Sequence, residues 1–347
     1  MLLAVGLLAL WSISFEDNAF NAGNFQKQII SVVIGIILLF FFSFYDYRIF
    51  NSFSTKLYFA MLAVLVAVIF WGTTVRGTTG WIGIGALRVQ PVEAAKLVLI
   101  IFLASFLSKK KNQLSIVVRT IASIVLLFIP IFLILKQPDF GSAAIIVGVW
   151  TCLLLICGIN AKNMAILFVI ATLSLSSGWF LMKNYQKDRL VNFIKPERDP
   201  QGSGYNVIQS IVAVGSGGLT GKGIGHGSQS QLNFLPEKHT DFIFAVISEE
   251  LGFFGAAFVF VLFGIIFYRI KEIAKKARDN FGYLLAVGVL AMIFLQVLVN
   301  VGMNIGLMPV TGVPLPFLSY GGSSLVAILA SIGMVESIHL RKASAID

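Results

Sequence analysis

The stretch Gly223-Ile-Gly-His-Gly-Ser-Gln-Ser-Gln-Leu-Asn-Phe-Leu-Pro-Glu-Lys-His-Thr-Asp-Phe-Ile-Phe-Ala-Val-Ile-Ser-Glu-Glu-Leu-Gly252 decides how the rest of the chain is read. A polar, glycine-rich approach ends at Asp241, and a long apolar run begins at Phe242 with Glu249 and Glu250 about two turns inside it. Ionisable groups at membrane depth are costly, so they face a cavity or a partner and are functional candidates. Thr240 and Asp241 are equally suited to capping the helix that follows. On this stretch alone, capping and chemistry both stay open for Asp241.

Outward from there, composition sets the class. The 347 residues are 57% hydrophobic and 12% charged, with mean hydropathy +0.89. Soluble domains carry about 25% charged residues, so the chain reads as an all-α polytopic membrane protein. Apolar runs bounded by polar, Gly or Pro signals predict ten transmembrane helices. They cover 1–15, 26–45, 56–72, 91–108, 118–136, 141–159, 163–183, 241–269, 281–304 and 321–340. Residues 1–14 lack a basic leader and a small-x-small site, so no cleavable signal peptide is expected. Cys152 and Cys157 lie in one apolar run and read as packing residues, with neither a disulfide nor a metal pattern.

Net charge +10 does not call for nucleic acid, because Lys and Arg collect in cytoplasmic loops. With the N-terminus inside, 14 basic residues fall in inner loops and the tail, and only Lys27, Arg76, Arg88 and Lys136 in short outer loops. Both termini are therefore expected to be cytoplasmic. Residues 184–240 become a large extracytoplasmic loop between helices 7 and 8, within a single domain spanning 1–347. All nine prolines except Pro130 fall on the outer side. Irregular backbone at membrane depth survives only when buried in protein or lining a cavity, so the outer half should hold a polar, structured hollow.

Four groups should converge there. Arg88, Glu93 and Lys96 open the fourth span; Glu93 and Lys96 share a helix face, as a structural ion pair or as part of a site. Asp139 opens the sixth span, where its ordinary role would be an N-cap. Asp241 comes with Arg189, Arg198 and Lys238. The fourth is Asn300-Val-Gly-Met-Asn304 with Pro309-Val-Thr-Gly-Val-Pro-Leu-Pro-Phe-Leu-Ser-Tyr-Gly-Gly-Ser-Ser324, a broken re-entry offering backbone amides to an anion. Position 216 is Ser and Gly223 follows Lys222, so Gly221-Lys222 is no phosphate-binding loop. The histidines His226, His239 and His339 show no zinc spacing, and no Gly-x-Ser-x-Gly elbow is present. Cations beside amide-rich helix starts suit a pyrophosphate, and a carboxylate suits a general base on a sugar hydroxyl. A lipid-linked sugar satisfies both.

The segment Gly227–Glu250 closely resembles the signature of the SEDS family (shape, elongation, division and sporulation). Pro309–Ser324, Gln90-Pro91-x-Glu93-x-x-Lys96, Gln137-Pro138-Asp139-x-Gly141, and Arg189 through Asp199-Pro200-x-Gly202-x-Gly204-Tyr205 match it too. The Gln-Ser-Gln-Leu-Asn-Phe lead-in is more similar to the elongation branch than to the division branch. Position 92 is Val where Ser is common, and the N-terminus is abbreviated. The resemblance implies a bacterial peptidoglycan glycosyltransferase of the plasma membrane, serving cell elongation and rod shape. It would polymerise lipid II, the undecaprenyl-pyrophosphate-linked disaccharide pentapeptide, at the outer face. It makes Asp241 the essential carboxylate and Lys96, Glu93, Arg88 and Asp139 its supporting residues, with Arg189, Lys238 and Ser319 as further substrate contacts. A divalent cation, magnesium or manganese, is an optional helper, and a class B penicillin-binding protein is the implied transpeptidase partner. A lipid II flippase and a non-catalytic scaffold are the competing readings.

Overall fold

An apolar run surrounded by lipid must satisfy its backbone internally, so it closes into a helix. The computed structural model describes residues 1–16, 19–20, 22–75, 78–84, 87–109, 116–159, 163, 191, 193, 203–232 and 234–341. The chain begins with α1 (Leu2–Ser12), the short strands β1 (Phe15–Glu16) and β2 (Ala19–Phe20), α2 (Ala22–Phe44) and α3 (Tyr47–Trp71). After β3 (Thr73–Val75), β4 (Thr78–Ile84) and β5 (Leu87–Val89) come α4 (Pro91–Ser108), α5 (Ile116–Lys136) and α6 (Phe140–Ile156). Beyond the undescribed stretch lie α7 (Ser203–Ser216), α8 (Ser228–Gln231), α9 (Ile243–Lys275), α10 (Asn280–Asn304) and α11 (Gly322–Leu340). Seven of these helices are long and apolar enough to cross a membrane, while α1 and α6 are shorter apolar helices. The protein is a multi-pass membrane protein. The expected span 163–183 beyond its first residue, with Arg189 and Arg198, lies outside the described residues.

Two differences from the sequence expectation have clear causes. The third helix starts at Tyr47 rather than 56, because the Asp46 carboxylate accepts the Arg48 amide at 2.9 Å as an N-cap, and Arg48 and Lys56 then ride on the helix. The connection at 73–89, expected as plain loop in an all-α chain, forms a three-stranded antiparallel sheet in the order β3-β4-β5. Its Thr, Val and Trp81 residues favour extended backbone.

The contacts divide the chain into two units. One comprises Ile29–Ile159, Ile265–Leu295 and Gly321–Asp347. Here α4 is the central element, buried on nearly every side and packed by α3, α5, α6 and α11. Tyr58 of α3 ties three helices together: its ring stacks on Phe102 of α4 at 4.2 Å, and its hydroxyl donates to the Leu126 carbonyl of α5 at 2.6 Å.

The other unit comprises Met1–Gln28, Asn160–Gly264 and Gln296–Tyr320. Its organising feature is a break in α9 at Gly252, where φ is 67° and ψ −163°. A half-helix, 243–251, precedes the break and orphans backbone groups that burial would make costly. The glycine-rich turn after α7 satisfies them. Lys222 and Gly223 donate to the carbonyls of Glu249 and Glu250 at 3.0 Å each. Phe253 and Phe254 donate back to Gly218 and Leu219 at 2.9 and 3.2 Å. This approach needs bare backbone: a Cβ on Gly252 would collide with Gly221 N and sit 2.6 Å from Leu219 O.

Candidate functional site

Within this unit, the turn bearing Asp241 is built by its own backbone and then held from outside. Glu237 adopts a left-handed φ of 55°, so its carbonyl accepts the amides of Thr240, Asp241 and Phe242 at 3.0, 3.2 and 3.4 Å. The Thr240 hydroxyl turns back to the Glu237 carboxylate at 3.1 Å. The carbonyls of His239, Thr240 and Asp241 are each taken by the re-entrant segment and the end of α10. Tyr320 N donates to His239 O at 2.8 Å, and Ser319 Oγ to Thr240 O at 2.6 Å. Asn300 and Asn304 Nδ2 both donate to Asp241 O, at 3.1 and 3.0 Å.

The two asparagines are fully buried and four residues apart, hence on one helix face. Asn300 also reaches Val313 O at 2.8 Å, and Asn304 Oδ1 accepts the Ala245 amide at 3.1 Å. The Asp241 carboxylate itself faces the bare backbone of Gly312, whose added Cβ would lie 3.8 Å from Oδ2. Asp241 and the Asn300–Tyr320 group, expected to converge, do so.

Two expected substrate contacts have structural partners. Ser319 spends its proton on Thr240 O and accepts the Leu315 amide at 2.8 Å. Lys238 is buried, its Nζ donating to Ser230 O at 2.9 Å. The deep carboxylates are also occupied. Glu249 is wholly buried and receives Lys222 Nζ and Gln229 N at 2.9 Å, Ser228 Oγ at 3.3 Å and Ser230 N at 3.1 Å. Glu250 accepts Ser12 Oγ and, at 3.2 Å, Gly225 N. Sequence reasoning did not assign these anchoring roles. The signal available was the pairing of Asn300 with Asn304 in an otherwise apolar span.

The unit built around α4 carries Arg88, Glu93, Lys96 and Asp139. Lys96 Nζ meets Glu93 Oε1 at 2.7 Å with side chains only 3% and 5% exposed, as their three-residue spacing predicts. Lys96 is among the lining of a small, mostly apolar pocket, with Leu99, Ile100, Leu103, Ile146 and Met292. Asp139 is the N-cap of α6, accepting Ser142 N at 2.9 Å, and its second oxygen accepts Gln90 Nε2 at 3.3 Å. Burial pushes the Asp139 carboxyl up, against the opposing pull of the Ser142 amide and the Lys96 charge. The backbone N–H of Gln90 in turn donates to Ser323 Oγ at 2.9 Å. Arg88 lies on β5 opposite Gly83, with its side chain exposed. Among the described residues no three His, Cys, Asp or Glu side chains converge as metal ligands.

The model of a family described as "Cell cycle protein", which groups FtsW, RodA and SpoVE, matches residues 1–344. The chain belongs to this family. Among FtsW/RodA/SpoVE relatives, the peptidoglycan glycosyltransferase MrdB of Escherichia coli K12 is 37% identical over 342 residues, covering 98% of this chain and 91% of that protein. Stage V sporulation protein E of Bacillus subtilis is 38% identical over 348 residues, covering 97% and 94%. The RodA peptidoglycan glycosyltransferase of Treponema pallidum is 32% identical over 415 residues, covering 98% and 95%. Among solved structures, a chain from a study of how a peptidoglycan synthase complex coordinates polymerization and crosslinking superposes with TM-score 0.82 at 30% identity, covering 98% and 96%. The Thermus thermophilus rod shape determining protein RodA superposes with TM-score 0.72 at 27% identity, covering 99% and 94%.

Proposed function

We propose that this FtsW/RodA/SpoVE-family chain is a peptidoglycan glycosyltransferase of the bacterial plasma membrane that polymerises lipid II at the outer face, in cell elongation. The observation that carries the reading is the turn at Asp241. A general base must be held still relative to its substrate, and here three successive backbone carbonyls of the turn that bears Asp241 are pinned, with its carboxylate close to the Gly312 backbone.

In the reaction, Asp241 takes the proton of a GlcNAc 4-hydroxyl as that oxygen attacks the anomeric carbon of MurNAc. The new C1–O4 bond forms as the bond to undecaprenyl pyrophosphate breaks, and the pyrophosphate leaves as an anion. An α-linked donor becomes a β-linked product, so one displacement with one base suffices. Lys96, Arg88 and Arg189 are assigned to the pyrophosphate, whose developing charge cations and amides stabilise; Glu93 and Asp139 hold the Lys96 region. The proposed topology has ten spans, cytoplasmic termini and an outer loop at 184–240. No acyl-transfer nucleophile stands out in the sequence, so crosslinking is assigned to a class B penicillin-binding protein.

The test is polymerisation of labelled lipid II by purified protein. Asp241→Asn should abolish glycan strands while leaving the melting temperature unchanged, because the shape and the carbonyl contacts persist. Strand formation by Asp241→Asn would overturn the assignment. Lipid II translocation by wild-type protein that makes no strands would favour the flippase reading.

A further inference from the structure

Glu249 is a buried carboxylate with four donors around it, and the reaction proposed above does not use it. Its two oxygens divide the work. Oε1 takes Lys222 Nζ, Ser228 Oγ and Gln229 N, and Oε2 takes Ser230 N. Ser230 then offers its carbonyl to Lys238 Nζ, and Gln229 offers its own to the Leu235 amide at 3.2 Å. Glu249 stands on the half-helix that starts at Ile243, two residues after Asp241. Residues 230–249 are therefore a ring of chain closed by Glu249 and braced by Lys238, with Asp241 inside it. The backbone leaves room for this closure. A Cβ on Gly227 would lie 2.6 Å from Glu249 Oε2 and would collide with Ser230 Oγ.

We propose that Glu249 is a positioning residue that acts through Ser230 and Lys238 to fix the Asp241 carboxylate for proton abstraction. The inference rests on the reading of Asp241 as base. Four donors are matched to a charged acceptor, and charge-assisted bonds of this kind are shorter and stronger than neutral ones. A neutral amide cannot replace it: whichever way Gln is turned, its NH2 group meets either the Ser230 N–H or the Lys222 ammonium.

The test compares Glu249→Gln with Gly227→Ala, which displaces the same carboxylate without changing any charge. Lipid II polymerisation is read as kcat and KM, with hydrogen exchange of the purified protein measured alongside. In both variants kcat should fall about 10²-fold, the loss expected for a misplacement of about 1 Å. KM should stay near wild type, and amide exchange should quicken only in peptides covering 228–241. Wild-type turnover in both variants overturns the proposal. So does a loss accompanied by faster exchange throughout α9 and α10, which would mark Glu249 as a general fold element. If Asp241→Asn polymerises normally, the base assignment fails by itself, and the exchange measurement still judges whether Glu249 closes the ring.

Discussion

Replacing Gly252 by alanine should cripple the fold, although it adds a single methyl group. At φ 67° and ψ −163° the residue occupies a region open almost only to glycine, which costs about 1–3 kcal/mol for any other residue. The new Cβ would also push against Gly221 N and Leu219 O, the turn that makes the four bonds bridging the break. Losing two of those bonds, at about 0.5–1.5 kcal/mol net each, adds about 1–3 kcal/mol. The expected sum of about 2–6 kcal/mol is a large share of a typical stability of 5–15 kcal/mol, taken as an order of magnitude, ~10. Gly264 is the control on the same helix: among the described residues no atom beyond its own stretch of helix lies within 4 Å of its added Cβ, and its backbone needs no left-handed φ. Gly264→Ala should therefore gain up to about 1 kcal/mol of helix propensity. Thermal melts and detergent-denaturation titrations of both purified variants, followed by tryptophan fluorescence, give the comparison. The reasoning is refuted if Gly252→Ala melts with the wild type, or if Gly264→Ala falls as far.

Lys96→Met strands the Glu93 charge in the interior and should cost about 3–5 kcal/mol, whereas Glu93→Leu combined with Lys96→Met should recover most of it. Denaturant titrations check this, and equal losses in the single and double variants would contradict it. At Asp139, burial raises the folded carboxyl above its unfolded value. Its contribution to stability is therefore complete below the unfolded value and is lost as pH climbs through the raised one. Asp139→Asn can still cap α6 through its side-chain oxygen but does not titrate, so the stability difference should shift in its favour from acidic to neutral pH. Melting curves of the two proteins that run parallel across that range would refute this.

Helices were legible where a long apolar run met a clear stop. Pro91, Gly321 and the Asp139 cap delimit α4, α11 and α6 close to the residues expected from sequence. The Glu93–Lys96 contact was legible too, because helical spacing alone brings those side chains together. The break at Gly252 was not, since a glycine inside an apolar span is equally compatible with a continuous helix. What identifies it is the turn at Gly217–Gly223, brought alongside by tertiary packing. The sheet at 73–89 was missed because its strands are short and surrounded by much stronger helical signals. At the site, residue types pointed to Asp241 and to the 300–324 segment. That the partners of Asn300, Asn304 and Ser319 are carbonyls of the turn is a matter of backbone direction, which no spacing rule carries.

The grip of Asn300, Asn304, Ser319 and Tyr320 on successive carbonyls has a consequence for saturation mutagenesis of this chain. Inactive substitutions will gather at Asn300, Asn304 and Ser319, whose side chains make the contacts, as densely as at the acid itself, while the Tyr320 contact is made by its main-chain amide. A map of intolerance drawn along residues 300–320 would thus trace the scaffolding behind the carboxylate, and reading it as the outline of the bound sugar would put the sugar in the wrong place.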